Sequence, residues 1–368
     1  MKILILIHSL RRGGAERVAL SQASGLIKKG HIINIISWLD NDEFANDYPE
    51  VQRSHIIKQE DYNWIWSLRP SSKILVEMIK DLQPDIIQIH TPTMHWLLGL
   101  TNLSIPSVHI LHGYGSIEKS PSLKNLLFKY ISRYFTKKLK NILITVSPSM
   151  NLLASQYYSN SEKEYVTIPN GIDLKKFPYT ECQDFNLENL NPKILMIGTL
   201  TSNKGQMHGI AAFQLLLNAY PNAKLLIIGD GEDKLKIRQK IEELNLVSSI
   251  KLLGMQSSIE RFLTPDSILW QFSKTEAMPM TVLESMASGV PVIGFDVRGI
   301  NDAVINDETG MLIPYGDIEE AASKTKILLD NYSLRQQFSV NGRQRVLEKF
   351  TNDEMVNSYE TLMKKMLG

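Results

Sequence analysis

The chain has 368 residues, of which 43% are hydrophobic and 21% are charged, and its formal net charge is +1. This length suits two domains better than one core, and the composition is that of a soluble globular protein, not of a disordered, fibrous or membrane-spanning chain. A single cysteine, Cys182, excludes an internal disulfide and a Cys-rich metal site.

Charge is divided unevenly along the chain. Residues 1–180 carry 21 Lys and Arg against 15 Asp and Glu, whereas the remainder carries 19 against 24. The amino-terminal half is therefore the half expected to meet an anionic surface. The apolar run at residues 3–7 is too short for a signal-peptide core, so we expect a cytoplasmic protein.

Short apolar, β-branched runs alternate with helical stretches over two regions, as in parallel sheets with crossover helices. We expect a first domain at residues 1–180, a polar linker at 181–192, a second domain at 193–350 and a final helix at 351–368. The strands predicted in the first domain are 3–7, 32–37, 86–89, 107–111, 141–146 and 165–168. Those predicted in the second are 194–197, 224–228, 250–253, 267–272 and 291–295. The predicted fold class is α/β, with two Rossmann-like domains.

The segment from Glu276 to Glu284 is the most informative about function. Pro279 suits the start of a helix, and Gly289 with Pro291 ends it just before a buried strand. One carboxylate is then in the loop before the helix and the other is in its second turn, with the free amides of the helix N-terminus between them. Those amides suit a phosphate. The alternative is an amphipathic helix whose glutamates are solvated.

This segment resembles the E-x7-E signature of retaining glycosyltransferases with the GT-B fold, specifically glycosyltransferase family 4. The other matching pieces, in order, are residues 13–17, 112–115, 146–148, 168–173, 197–200 with 204–205, 229–231 and 309–314. The resemblance implies two Rossmann-like domains with parallel sheets facing across a cleft, and a final helix that returns to the first domain. It also implies a hexosyl- or N-acetylhexosaminyltransferase of EC class 2.4 that retains anomeric configuration.

The resemblance assigns roles to individual residues. Glu276 faces the donor sugar and phosphate, His112 reaches the sugar near the reaction centre, and Lys204 supplies positive charge to the leaving diphosphate; these three are the predicted catalytic residues. Glu284 accepts hydrogen bonds from the ribose hydroxyls. The full set of predicted donor-binding residues is Gly13, Gly14, Thr199, Lys204, Gly254, Met255, Met278, Met280, Thr281 and Glu284.

Thr199 departs from the family pattern, in which many members have an arginine directly after the glycine at 198. A hydroxyl group cannot replace a guanidinium fork, so leaving-group stabilisation must rest on Lys204 and the helix N-terminus. This departure motivates an alternative function, that of a non-catalytic nucleotide-sugar-binding or partner subunit of a glycosyltransferase complex.

No Asp-x-Asp metal motif is evident beyond Asp40-Asn-Asp42, which we interpret as a turn. We therefore expect no cofactor and no required metal. The expected donor is a nucleotide-diphosphate sugar, UDP- or GDP-linked. The expected acceptor is a saccharide or lipid-linked saccharide of surface polysaccharide or glycolipid synthesis, and no nucleic-acid partner is expected.

Residues 119–140 contain seven basic side chains and no acidic one. Leu123, Leu127, Ile131 and Phe135 are predicted to form one apolar stripe, so the segment suits peripheral attachment to an anionic membrane, at the inner face of the plasma membrane. The alternative is a crossover helix whose stripe packs on the sheet while its lysines are solvated. The two interpretations are compatible.

Overall fold

A computed structural model describes residues 1–11, 13–58, 60, 67–113, 123–139, 142–158, 165–181 and 192–368. The chain divides into two compact units. Unit 1 comprises Met1–Gly171 with Asn352–Gly368, and unit 2 comprises Ile172–Thr351.

Unit 1 is built on a seven-stranded parallel sheet, in the order β3-β2-β1-β4-β5-β6-β7. Its strands are β1 (Lys2–Ile7), β2 (Ile32–Leu39), β3 (Gln52–Ile57), β4 (Ile86–Ile89), β5 (Ser107–Leu111), β6 (Ile142–Thr145) and β7 (Tyr165–Thr167). Its crossover helices are α1 (Gly14–Lys28), α2 (Leu68–Leu82), α3 (Pro92–Gly99), α4 (Leu123–Leu139) and α5 (Pro148–Tyr158). The central strands are buried on both faces, which is why they appear in the sequence as continuous apolar runs.

Unit 2 contains a second parallel sheet, of six strands, in the order β10-β9-β8-β11-β12-β13. Its strands are β8 (Lys193–Ile197), β9 (Lys224–Ile228), β10 (Ile250–Gly254), β11 (Ser267–Gln271), β12 (Val292–Phe295) and β13 (Met311–Ile313). Its helices are α6 (Gln206–Leu216), α7 (Lys234–Glu243), α8 (Met280–Ser288), α9 (Ile300–Ala303), α10 (Ile318–Asp330) and α11 (Tyr332–Lys349). The rings of Trp270, Phe272 and Phe295 stack in succession inside the core.

The last helix, α12 (Asn352–Leu367), belongs to unit 1. It packs on α1 where Gly25 leaves room for Val356, since a Cβ at Gly25 would lie 2.5 Å from a methyl carbon of Val356. Glu360 lies 2.8 Å from the Lys29 ammonium and 3.0 Å from the His31 ring. The helix is therefore held by both shape and charge.

The boundary between the two units lies between Gly171 and Ile172. This is earlier than residue 180, the predicted end of the first domain. Residues 172–181 are packed within unit 2: Ile172 N–H donates to the Phe350 carbonyl, Thr180 N–H donates to Ser288, and Phe177 is buried. Residues 182–191 of the predicted linker, including Cys182, lie outside the described residues.

The strands predicted from the sequence are present, but β3 and β13 were not predicted. Both are edge strands. Most of β3 is exposed or only partly buried, and β13 has three residues, so neither has the apolar run of a central strand. None of the described helices combines the length and the apolar composition needed to cross a bilayer.

Candidate active site

The predicted donor residues of unit 2 gather at one edge of its sheet. Lys204 follows β8, Gly254 ends β10, and Glu276 lies in the loop between β11 and α8. Because all strands are parallel, their carboxyl ends meet at one edge, where ligands of open α/β sheets bind.

Glu276 is held at one of its two carboxylate oxygens. Its Oε1 accepts from Lys204 Nζ at 2.5 Å, from Ser273 Oγ at 2.6 Å and from Gln271 Nε2 at 3.1 Å. Gln271 and Ser273 are buried, and the Glu276 side chain is 12% exposed. The three bonds fix the carboxylate in place and leave Oε2 outside this set of contacts.

Gln271 connects this carboxylate to helix α8. Its amide donates to Ser273 Oγ as well as to Glu276, and its Oε1 accepts from Thr281 Oγ1 at 2.8 Å. Thr281 was predicted to contribute its amide to the donor site, and the structure adds this role for its hydroxyl group. Gln271 and Ser273 could not be identified from the sequence, because a buried polar pair at the end of a strand has no recognisable spacing.

Lys204 is positioned by a short turn, Ser202–Lys204, that ends at Gly205. Gly205 has a φ of 71°, and a Cβ there would lie 2.0 Å from the Phe272 carbonyl oxygen, so only glycine fits. Asn203 ties the same turn to the loop of Glu276, since its carbonyl accepts from Lys274 N–H and its amide donates to the Thr275 carbonyl. The salt bridge thus joins two segments that the backbone already holds together.

Thr199 lies in the sequence between the end of β8 and Lys204, and it is exposed. Its carbonyl accepts from Gln206 Nε2 at 3.1 Å. Gly254 has a φ of 68°, and its carbonyl accepts from Gly229 N–H. Met255 beside it is exposed. The backbones at this edge come very close, since a Cβ at Gly229 would lie 1.9 Å from the Gly198 carbonyl oxygen.

Helix α8 begins as predicted, with Pro279 as the residue before Met280, and it ends at Gly289, which has a φ of 81°. The amides of its first turn are those that no preceding turn can satisfy. Met278 is buried in the approach to the helix. The polar side chains of α8 do not face solvent: Glu284, Ser285 and Ser288 are buried, Glu284 at 1% exposure. The alternative of solvated glutamates is therefore wrong for Glu284, because α8 lies inside unit 2 rather than on its surface.

In unit 1, Gly13, one of the predicted donor-binding residues, precedes α1, and Gly14 is the first residue of that helix. The Glu16 side chain folds back over this loop and comes close to Gly13. A Cβ at Gly13 would lie 2.3 Å from Glu16 Oε2. Burial raises the pKa of the Glu16 carboxyl group. The loop therefore contains an acidic group as well as backbone amides.

His112 follows β5, and its ring contacts that of a second histidine, which has no predicted role. His112 Nε2 lies 2.9 Å from Nδ1 of His90, which follows the neighbouring strand β4. Burial lowers the pKa of His112 to about 4 and also lowers the pKa of His90 well below its usual value. Both rings are therefore neutral at pH 7. The pairing could not be found from sequence, because the two residues are 22 positions apart.

Helix α4 covers most of the predicted basic segment; residues 119–122 and 140 lie outside the described part of the chain. The predicted stripe does not share one environment, since Phe135 is buried whereas Leu127 is 59% exposed. Leu127 instead joins Leu126, Tyr130 and Tyr134 on an exposed apolar face. Of the basic residues, Arg133 donates to the Tyr157 carbonyl and Lys138 to the Gly99 carbonyl. Lys137 and Lys138 are both exposed residues.

Among the described residues, no three histidine, cysteine or acidic side chains come together in a way that could hold a metal ion. The cation that the structure does place beside the Glu276 carboxylate is the ammonium group of Lys204.

Two family models match the chain in succession. "Glycosyltransferase Family 4" matches residues 12–176 and "Glycosyl transferases group 1" matches residues 181–345. Together they span most of both units.

Known proteins agree with the models. The chain is 25% identical over 365 residues to N-acetyl-alpha-D-glucosaminyl L-malate synthase of Bacillus anthracis, covering 95% of this chain and 93% of the relative. It is also 25% identical over 376 residues to UDP-Gal:alpha-D-GlcNAc-diphosphoundecaprenol alpha-1,3-galactosyltransferase of Escherichia coli, with coverages of 95% and 93%.

Among solved structures, Anabaena HepE in complex with UDP and glucose superposes with a TM-score of 0.84 at 17% identity, covering 99% of this chain and 100% of that one. This likeness confirms the predicted fold, in which two Rossmann-like units form a GT-B protein. The chain belongs to glycosyltransferase family 4 and is a transferase of EC class 2.4, related to enzymes of glycolipid and polysaccharide synthesis.

Proposed function

We propose that the chain is a retaining transferase that moves a hexosyl or N-acetylhexosaminyl group from a UDP- or GDP-sugar to a saccharide or lipid-linked saccharide. The observation that carries the proposal is the convergence of Lys204, Ser273 and Gln271 on one oxygen of Glu276. It puts a fixed anion and a fixed cation together at the edge of the sheet where a ligand binds.

The groups of this site match the demands of the reaction. Lys204 has three N–H donors, and the contact with Glu276 uses one, so the others can bind the diphosphate. The amide groups of Met280 and Thr281, at the N-terminus of α8, add the positive end of the helix dipole. The Lys204 ammonium group and the N-terminus of α8 attract the leaving diphosphate more strongly as its negative charge grows. This lowers the activation free energy of the transfer. Oε2 of Glu276 can accept hydrogen bonds from sugar hydroxyls.

In the proposed step, the bond from the anomeric carbon to the diphosphate breaks and a bond from the same face to the acceptor oxygen forms. The acceptor proton passes to the leaving diphosphate oxygen. The carboxylate of Glu276 balances the oxocarbenium-like centre. Lys204 and the helix N-terminus supply the charge that neutralises the diphosphate, so we propose that no metal is required.

The matched proteins favour this choice of substrates within the class. The name of the Escherichia coli relative gives it a UDP-sugar donor and a diphosphoundecaprenol-linked acceptor, and the HepE crystal contains UDP and glucose. We propose the same kinds of donor and acceptor here.

The test is to incubate the protein with UDP- and GDP-sugars and lipid-linked acceptors, with and without EDTA, and to determine the anomeric configuration of the product by NMR. We expect an α-product from an α-donor, unaffected by EDTA, and we expect Glu276→Gln to lose most activity. Glu242→Gln, an exposed carboxylate on α7, is the matched control. An inverted product would refute retention. A folded protein that binds a nucleotide sugar but transfers nothing would favour the partner-subunit alternative.

We further propose that the protein works at an anionic membrane surface, at the inner face of the plasma membrane, through α4. Support comes from four exposed apolar or aromatic side chains on one helical face, with the ammonium group of Lys137 on the same helix. In co-sedimentation with phosphatidylglycerol vesicles at low salt, Tyr130→Ser with Tyr134→Ser should reduce binding several-fold. Leu235→Ser, at an equally exposed position in unit 2, should not. Equal binding of both variants would refute the role of α4.

A further inference from the structure

The histidine pair of unit 1 is connected by a hydrogen bond that lies in the plane of both rings. The rings of His90 and His112 are inclined by 20° and their centroids are 5.0 Å apart. That separation is close to what an in-plane N–H···N bond of 2.9 Å between two five-membered rings requires. Face-to-face stacking would bring the centroids closer together. The geometry is therefore that of one imidazole donating a proton to the other.

The hydrogen bond couples the positions of two protons. Each neutral imidazole carries one N–H and one lone pair. If His90 donates from Nδ1, the proton of His112 must be on Nδ1, because Nε2 accepts. If His112 donates from Nε2, the proton of His90 must be on Nε2. In either case one proton lies on a nitrogen outside the bond between the rings. We call these two atoms, Nε2 of His90 and Nδ1 of His112, the outer nitrogens.

The surroundings of the outer nitrogens favour the first arrangement. Within the described part of the chain, neither Nε2 of His90 nor Nδ1 of His112 has a hydrogen-bond partner. Both of these nitrogens are buried, but His112 as a residue is only partly buried and is followed by the exposed Gly113, whereas the whole of His90 is buried. An orphaned N–H deep in the interior is rarer and more costly than an orphaned lone pair. The proton is therefore less costly on His112, the residue nearer to solvent.

We propose that His90 is a positioning residue for His112: it donates Nδ1–H to Nε2 and so keeps the proton of His112 on Nδ1. His112 then offers an N–H donor to an acceptor oxygen of a ligand and cannot act as a base at that atom. The consequence for catalysis rests on the proposed function, in which His112 meets the sugar. The tautomer itself does not depend on it.

The test is the tautomer of His112, measured by two-bond ¹H–¹⁵N NMR on the full chain with ¹⁵N-labelled histidine. His112→Asn identifies the His112 resonances. In the wild type we expect a protonated Nδ1 and a bare Nε2. In His90→Phe, which keeps a ring but removes the donor, signal should move toward the Nε2–H form that free neutral histidine favours. In His90→Asn, whose side-chain amide can replace the Nδ1–H donor, the wild-type pattern should return.

Activity gives a second readout. His90→Phe should lower kcat about tenfold while donor KM changes less, since one neutral hydrogen bond is lost and its effect is on orientation. His90→Asn should recover most of that loss. Circular dichroism shows whether each variant is folded. A wild-type His112 protonated on Nε2, or a tautomer unchanged in folded His90→Phe, would overturn the proposal. Absence of transferase activity in the wild type would refute the proposed function. The NMR experiment would still decide whether His90 sets the tautomer of His112.

Discussion

The ammonium group of Lys204 lies 2.5 Å from Oε1 of Glu276, although the two residues are 72 positions apart. Lys204 belongs to the turn after β8 and Glu276 to the loop after β11. The two strands are neighbours in the sheet, so the pair is a product of the fold. A contact this short between opposite charges is a charge-assisted hydrogen bond, and it joins the two loops that follow these strands.

Lys204→Ala should lower kcat by about a hundredfold or more and change donor KM less, because the charge on the leaving phosphate grows in the transition state. Lys204→Arg should not restore full activity, since a planar fork does not match a point charge. Steady-state kinetics provide the measurement. The control is Lys274→Ala, which removes an exposed lysine from the loop that contains Glu276. Equal losses in both variants would remove Lys204 from the site.

Ser273→Ala removes one of three donors to Glu276 from a fully buried position. We expect unfolding free energy to fall by about 1 kcal/mol and kcat to fall several-fold, because the carboxylate is less well fixed. Denaturant titration and kinetics measure the two effects, and the exposed Ser248→Ala is the control. Loss of stability with unchanged kcat would make Ser273 a purely structural residue.

Glu284→Gln should raise donor KM strongly and affect kcat less, since a role in holding ribose hydroxyls contributes to binding rather than to the chemical step. The isosteric amide is chosen because Glu284 is buried, and an alanine would leave a cavity. Donor titrations with UDP-sugar and UDP test this. If donor KM is unchanged in a variant that melts normally, Glu284 does not bind the donor.

Glu16→Gln should stabilise the protein at neutral pH. Burial raises the pKa of Glu16 in the folded state, so the native protein binds the proton more tightly than the unfolded chain does. Stability is then lost as pH rises from the usual carboxyl pKa through the raised value. The gain from Gln should be present at pH 7 and vanish near pH 4, in melting curves recorded across that range. A gain that does not depend on pH would point to packing instead.

Glu360→Gln should destabilise unit 1 at neutral pH, with an effect that disappears in acid. Hydrogen bonds from Lys29, Lys364 and His31 lower the pKa of Glu360 to about 2. The stabilisation is therefore present above the usual carboxyl pKa and is lost as pH falls through the folded value. Melting curves from pH 7 downward should bring wild type and variant together. Glu319→Gln, an exposed residue on α10, should match the wild type throughout.

The central strands and α8 could be predicted because burial on both faces leaves a continuous apolar run, and because Pro279 and Gly289 mark the ends of a helix. Edge strand β3 could not, since its residues are mostly in contact with solvent. The carboxylates of Glu276 and Glu284 were predicted as site groups from their spacing and from family resemblance. Their surroundings were not.

The sequence could not reveal which side chains contact each other at the ends of the strands. Gln271 meets Glu276 and Thr281 through side chains whose directions depend on where one strand ends. His90 and His112 lie on adjacent strands β4 and β5, and only the sheet order makes them neighbours. Likewise, the exposed face of α4 depends on which residues α3 and α5 cover.

The return of α12 to unit 1 sets an order of events during synthesis. Unit 2 is continuous in sequence and can be complete when Thr351 is made, whereas unit 1 is interrupted and still lacks a helix at that moment. The surface of α1 around Gly25 stays open to water and to other chains until α12 follows. The unit that is translated first is thus completed last.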